Sequence, residues 1–134
     1  MPASATPSPA HPAPAAPPTV VLVDDDVALL QALRFSLEID GYQVATCETG
    51  EQLMQMTLPA EACLVIDFRL SGLSGLDVLD DLRRRGVALP AILITSYASP
   101  SLHARARRAQ ATVVEKPLLG DALFARIHEC LPLA

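Results

Sequence analysis

Five short apolar runs, each followed by a stretch of helical periodicity, constrain this chain more than any other feature. The central run is Cys63-Leu64-Val65-Ile66-Asp67, continuous in apolar side chains and closed by one carboxylate and the turn-rich Phe68-Arg69-Leu70-Ser71-Gly72. A run this short and unbroken fits a strand buried on both faces of a parallel sheet. The others are Thr19 to Val23, Tyr42 to Cys47, Pro90 to Thr95 and Thr112 to Glu115.

Helical spacing fills the intervals. Val27, Leu30, Leu33, Leu37 and Ile39 form one stripe, with Asp26 as N-cap and Gly41 as C-terminal stop. Thr49-Gly50-Glu51-Gln52 has the capping-box pattern and opens a helix to about Met56. Leu76, Leu79 and Leu82 mark a third helix ending near Gly86, whose Arg83-Arg84-Arg85 tail is expected to form a solvated basic face at the negative helix end. Ser99-Pro100 opens a fourth, Ala/Arg-rich helix to about Ala109, lightly anchored and mobile for lack of large apolar groups. Gly120-Asp121 leads into a fifth, with Leu123, Phe124, Ile127 and Leu131 inward and Pro132 beyond. Strand-helix alternation of this kind requires a parallel sheet covered on both sides, a three-layer α/β sandwich.

Composition closes off several function classes. At 134 residues the chain suits one domain. A formal charge of -5 argues against a direct, sequence-independent grip on nucleic acid. No apolar run reaches the roughly 18 residues needed to span a bilayer, so no membrane role is expected. Cys47, Cys63 and Cys130 lack metal or redox spacing and read as reduced thiols, which points to the cytoplasm. His11, His103 and His128 stand apart from any motif and read as surface or capping residues. Met1 to Pro18 is Ala/Pro-rich and is expected to be a disordered tail, leaving 19–134 as the folded domain.

In a parallel sheet all strand ends point to one edge, which would gather Asp24/Asp25, Asp67, Thr95 and Lys116. Carboxylates a few ångströms apart repel by roughly 4 kcal/mol per close pair at an effective dielectric near 20. A divalent cation relieves this, and Mg²⁺ is the natural candidate because it prefers oxygen ligands. Lys116 and Thr95 then supply an ammonium and a hydroxyl for an anion beside the metal. A carboxylate, a metal, a lysine and a hydroxyl make a phosphoryl-transfer site with Asp67 as acceptor.

Val23-Asp24-Asp25-Asp26, Asp67 with Gly72 and Gly75 behind it, Thr95-Ser96 and Glu115-Lys116-Pro117 together resemble a response-regulator receiver domain of the CheY-like superfamily. The wording from Asp67 to Gly75 leans toward its FixJ-like branch. The resemblance implies a doubly wound, flavodoxin-like sheet in the order 2-1-3-4-5. It implies that Asp67 takes a phosphoryl group from a histidine kinase or histidine phosphotransfer protein. Asp25, Asp67 and the backbone carbonyl of Arg69 would hold Mg²⁺, with Asp24 acting mainly through water. Thr95 and Lys116 would bind phosphoryl oxygens, Ser96 would leave access, and the Lys116-Pro117 peptide would be cis. Such a domain is a switch with self-phosphorylation and self-dephosphorylation rather than an enzyme with an outside substrate.

Three positions depart from the family pattern. Val113 stands where many members carry an aromatic residue, Ser71 where proline is common, and the interval from Thr95 to Lys116 is about one residue short. Two other readings compete. A Mg²⁺-dependent phosphohydrolase of the haloacid-dehalogenase type would place a second Asp where Arg69 stands. A degenerate receiver would act as a binding module that no kinase addresses. The chain ends just after its fifth helix; the expectation is a stand-alone regulator, monomeric or weakly dimeric, with an unknown protein as output, against a relay shuttle or a fragment of a longer regulator.

Overall fold

The computed structural model describes residues 17–118 and 121–133. Ten elements alternate along the chain: β1 (Thr19–Val23), α1 (Val27–Asp40), β2 (Gln43–Cys47), α2 (Gly50–Gln55), β3 (Ala62–Asp67), α3 (Gly75–Arg84), β4 (Ala91–Thr95), α4 (Pro100–Arg108), β5 (Ala111–Glu115) and α5 (Ala122–Cys130). All strand pairs are parallel, in the order β2-β1-β3-β4-β5. The fold is the five-stranded α/β sandwich that the alternation required.

The three central strands are buried along their whole length, which explains their unbroken apolar runs. Alternate residues feed two cores. Val20, Leu22, Cys63, Val65, Ile92 and Ile94 pack with Leu30, Leu33 and Leu37 of α1 and Leu123, Ile127 and Leu131 at α5. Val21, Val23, Leu64, Ile66 and Leu93 pack with Leu53 of α2, Leu76, Leu79 and Leu82 of α3, and Leu102 and Ala106 of α4. The edge strands β2 and β5 are partly exposed and correspondingly more polar.

Local signals account for most helix ends. The Asp26 carboxylate accepts the Leu29 amide at 3.1 Å, and Gly41 takes a left-handed φ of 113°. Thr49, Ser74 and Ser99 cap α2, α3 and α4 through their hydroxyls. Gln52 reaches back to the amide of Glu48 at 2.6 Å, one residue before the cap. Asp121 precedes α5 without a side-chain cap bond. Residues 1–16 of the expected tail, and Gly120, lie outside the described residues; Pro18 accepts the Gln43 amide at 3.0 Å and so joins the sheet edge.

The structure corrects three expectations. Val27 and Ile39 are solvent-exposed, so the inward stripe of α1 is only Leu30, Leu33 and Leu37; those three lie three and four residues apart, whereas the outer pair has rotated off the face. Tyr42 precedes β2; its ring is buried and its hydroxyl donates to the Leu131 carbonyl at 2.7 Å. His128 is exposed in the last turn of α5, as expected of a surface histidine, with Nε2 3.4 Å from Asp40 Oδ2 and its ring tilted against Tyr42. Arg83 is no part of a solvated face. Its guanidinium donates to the carbonyls of Ala109, Val87, Leu89 and Gln110 at 2.8, 2.9, 2.7 and 3.1 Å.

Candidate functional site at the strand ends

Parallel register determines which side chains meet. Val23 pairs with Ile66, which sets Asp24 abreast of Asp67 on neighbouring strands. Asp67 pairs with Ile94, and Thr95 with Glu115, so Thr95 and Lys116 emerge one step further along the same edge. The Lys116 amide donates to the Thr95 carbonyl at 2.7 Å, and the Lys116-Pro117 peptide is cis.

Asp24 and Asp67 are buried, at 4% and 5% exposure, whereas Asp25 is exposed. The three carboxylates each offer an oxygen within 4.8 Å of the others. Lys116 Nζ lies 3.2 Å from Asp67 Oδ2 and 3.7 Å from Asp24 Oδ2. Burial lowers its affinity for a proton, but the hydrogen bond and charge of Asp67, with Asp24, outweigh that and raise its pKa. Asp67 Oδ1 accepts the Arg69 amide at 3.3 Å.

One ammonium serves two buried carboxylates and leaves a deficit at Asp24. Its Oδ1 accepts the Asp26 amide at 2.9 Å, but Oδ2 is buried without a hydrogen-bond partner. Burial raises the Asp24 pKa to about 6, with the nearby Asp67 charge adding to the rise and the Asp26 amide and Lys116 opposing it. An orphaned carboxylate oxygen beside two further carboxylates is an all-oxygen donor set of high charge. Such a set fits a hard divalent cation such as Mg²⁺.

Gly75 is required here by space. A Cβ on it would overlap the main-chain carbonyl oxygen of Asp67, and its amide donates to the Phe68 carbonyl at 2.8 Å. The start of α3 therefore presses directly on the end of β3 and fixes the strand that carries Asp67. Gly72, with φ of 88°, allows the tight return between them.

Thr95 is buried at the same edge, but its hydroxyl is engaged locally. It donates to the Tyr97 carbonyl at 3.1 Å and accepts the Tyr97 amide at 3.3 Å. The β4–α4 loop is thus folded over the hydroxyl that the sequence assigns to an anion. Ser96 is exposed and Tyr97 is 73% exposed. With Phe68, Arg69, Leu102 and Arg105 they border a cleft of about 310 Å³ beside the carboxylates. Tyr97 and Arg105 went unnoticed in the sequence. The one signal for Tyr97 was a bulky aromatic in an Ala/Ser loop.

Comparison with known proteins decides the family. Residues 20–128 match the family model described as the response regulator receiver domain. The chain belongs to that family. Among its relatives, the C4-dicarboxylate transport transcriptional regulatory protein DctD of Pseudomonas aeruginosa is 36% identical over 84% of this chain and 25% of its own length. The transcriptional regulatory protein FixJ of Azorhizobium caulinodans is 31% identical over 84% of this chain and 54% of its own. The receiver domain therefore spans between a quarter and about half of such relatives. Among solved structures, the response regulator StyR aligns with a TM-score of 0.79 at 31% identity, covering 87% of this chain and 60% of that one. The chemotaxis protein CheY4 of Vibrio cholerae aligns at 0.78 with 22% identity over 87% of this chain and all of that one, a likeness of fold. TrrA of Thermotoga maritima, solved in complex with Mg(2+)-BeF, aligns at 0.74 with 24% identity over 85% of this chain and 99% of its own. No helix among the described residues of this receiver domain is long and apolar enough to cross a membrane.

Proposed function

We propose that this receiver domain is a phosphorylation switch in which Asp67 accepts a phosphoryl group from the phosphohistidine of a kinase or phosphotransfer protein. The observation that carries the reading is the buried Asp67 carboxylate held 3.2 Å from Lys116 Nζ, with Asp24 and Asp25 alongside. An Asp67 oxygen forms the new bond to phosphorus as the phosphorus–nitrogen bond of the donor breaks, and the electron pair returns to the imidazole. A Mg²⁺ ion held by Asp24, Asp25, Asp67 and the Arg69 carbonyl would supply neutralising charge for the phosphoryl oxygens.

The residues of the chain do the rest. Lys116 already faces Asp67 and can follow the negative charge onto the phosphoryl oxygens without crossing the site. Ser96, small and exposed, leaves the approach open. Thr95 must exchange its bonds to Tyr97 for one to the phosphoryl group, which unfastens the β4–α4 loop and couples chemistry to shape. Arg69, standing where a haloacid-dehalogenase enzyme would need its second acid, disfavours turnover of an outside substrate. The domain would work in the cytoplasm, as monomer or weak dimer, with a protein as output.

Incubation with acetyl phosphate and Mg²⁺ should add one phosphoryl mass to the intact chain, and Asp67→Asn should abolish the gain. Undiminished labelling of the Asp67→Asn chain would refute the assignment.

A further inference from the structure

Of the three cysteines, two meet across one core. Cys63, in β3, is fully buried in the core beneath α1 and α5. Cys130, the last residue of α5, is half-buried and packs against that same core. Burial pushes the Cys63 thiol up to about 12, and the Cys130 side chain beside it adds to the rise. Tyr42 marks the same spot: burial and then Asp40 raise its phenol, and both thiols are near enough to add to that. The Tyr42 hydroxyl donates to the Leu131 carbonyl at 2.7 Å, which brings the end of α5 down onto the sheet one residue past Cys130. Cys47 sits elsewhere. It belongs to the core on the opposite face, with Sγ 3.9 Å from the thioether of Met56, a group that cannot form a disulfide.

We infer that Cys63 and Cys130 form a reversible disulfide when a peroxide oxidises the chain, fastening the end of α5 to β3. The difference in burial assigns the roles. Cys130 is reachable from solvent, and its sulfur attacks the peroxide: an S–O bond forms, the O–O bond breaks, and the departing hydroxide takes the thiol proton as water. The Cys63 sulfur then attacks the Cys130 sulfur. The S–S bond forms, the S–O bond breaks, and the second hydroxide leaves with the Cys63 proton as water. Two thiols lose two electrons in all, and the peroxide is reduced to two waters. Cys63 by itself is out of reach of an oxidant and stays protonated, so it reacts only once a sulfenic acid stands beside it. Cys130 closes α5 and the chain leaves the helix at Leu131, so the backbone there can adjust to the close approach that a disulfide needs. In a reducing compartment such a bond is transient and sensing rather than structural. The pair stands apart from the phosphoryl chemistry, with Cys63 near the start of β3 and Asp67 at its end.

The test treats the full chain with millimolar hydrogen peroxide, alkylates the remaining thiols and maps the peptides by mass spectrometry. The peptides carrying Cys63 and Cys130 should appear joined, two hydrogens lighter than their sum, and dithiothreitol should release them. Cys63→Ala should instead leave Cys130 as a sulfenic acid that dimedone traps, and in Cys130→Ser the Cys63 thiol should stay unoxidised. In the oxidised wild-type chain, amide exchange across residues 122–130 should slow by at least about tenfold and recover on reduction. A Cys130–Cys130 crosslink between two chains, a crosslink to Cys47, sulfinic acid at Cys130 without a crosslink, no change at either thiol, or unaltered exchange once the bond has formed would each overturn the inference.

Discussion

At the scale of single residues, the site stores an electrostatic cost that an ion would relieve. Asp24 has a folded pKa of about 6 against 3.8 for the free side chain, because burial disfavours its charge. The native state then holds the Asp24 proton more tightly than the unfolded chain does. Stability from this group is therefore greatest below about pH 4 and is lost as pH rises through about 6. In EDTA at pH 7.5, Asp24→Asn should raise the unfolding free energy by about 1–3 kcal/mol in urea titrations. The advantage should shrink toward pH 4, and excess Mg²⁺ should favour wild type over the variant. Equal stability of the two proteins in EDTA at pH 7.5 would show that the carboxylate is not strained. Here the sequence was informative, since acids at adjacent parallel strand ends must meet. It could not show the orphaned oxygen, or that the Thr95 hydroxyl is closed onto Tyr97, because both depend on how loops settle.

Among the elements, the arginine run at the end of α3 separates what sequence periodicity reveals from what it hides. Arg84 and Arg85 pair with Asp81 at the surface, while Arg83 folds under the sheet edge and ties α3 to the chain before β4 and to the α4–β5 corner. At that corner Gln110 adopts a left-handed φ of 59°, and its carbonyl is one of those Arg83 holds. Lysine cannot reproduce a planar fork that serves four carbonyls. Arg83→Lys should cost about 1–3 kcal/mol in urea unfolding, whereas Arg84→Lys should fall within about 0.5 kcal/mol of wild type. Similar losses for the two would mean the carbonyls find water instead. Three consecutive arginines look alike in sequence, and only the path of distant backbone distinguishes them. The strands were legible for the opposite reason: β1, β3 and β4 are buried on both faces, so local composition alone reports them.

Over the whole molecule, one sheet carries two cores, and the helices are unequally fastened to them. α1 sends Leu30, Leu33 and Leu37 into its core, and α3 sends Leu76, Val78, Leu79 and Leu82 into the other. α4 contributes Leu102 as its one large buried side chain, with Ala106, and is otherwise held through Arg105 to Asp77 and Asp80 at 3.5 and 3.4 Å. Exposed pairs of that kind add little, so α4 should open well below the global unfolding free energy. This is also the helix that follows the Thr95–Tyr97 closure, so the weakest attachment lies next to the proposed trigger. Leu102→Ala should therefore act locally. Amide hydrogen exchange in residues 102–108 should accelerate by more than about tenfold while α1 and α3 keep near wild-type protection. Leu37→Ala, by contrast, removes a side chain fully buried against the shared sheet. It should cost about 2–5 kcal/mol and lower protection in every element together. If Leu102→Ala lowered protection uniformly across the sheet and both helical layers, α4 would be a cooperative part of the core, and a loop-led change confined to that side of the molecule would lose its physical basis.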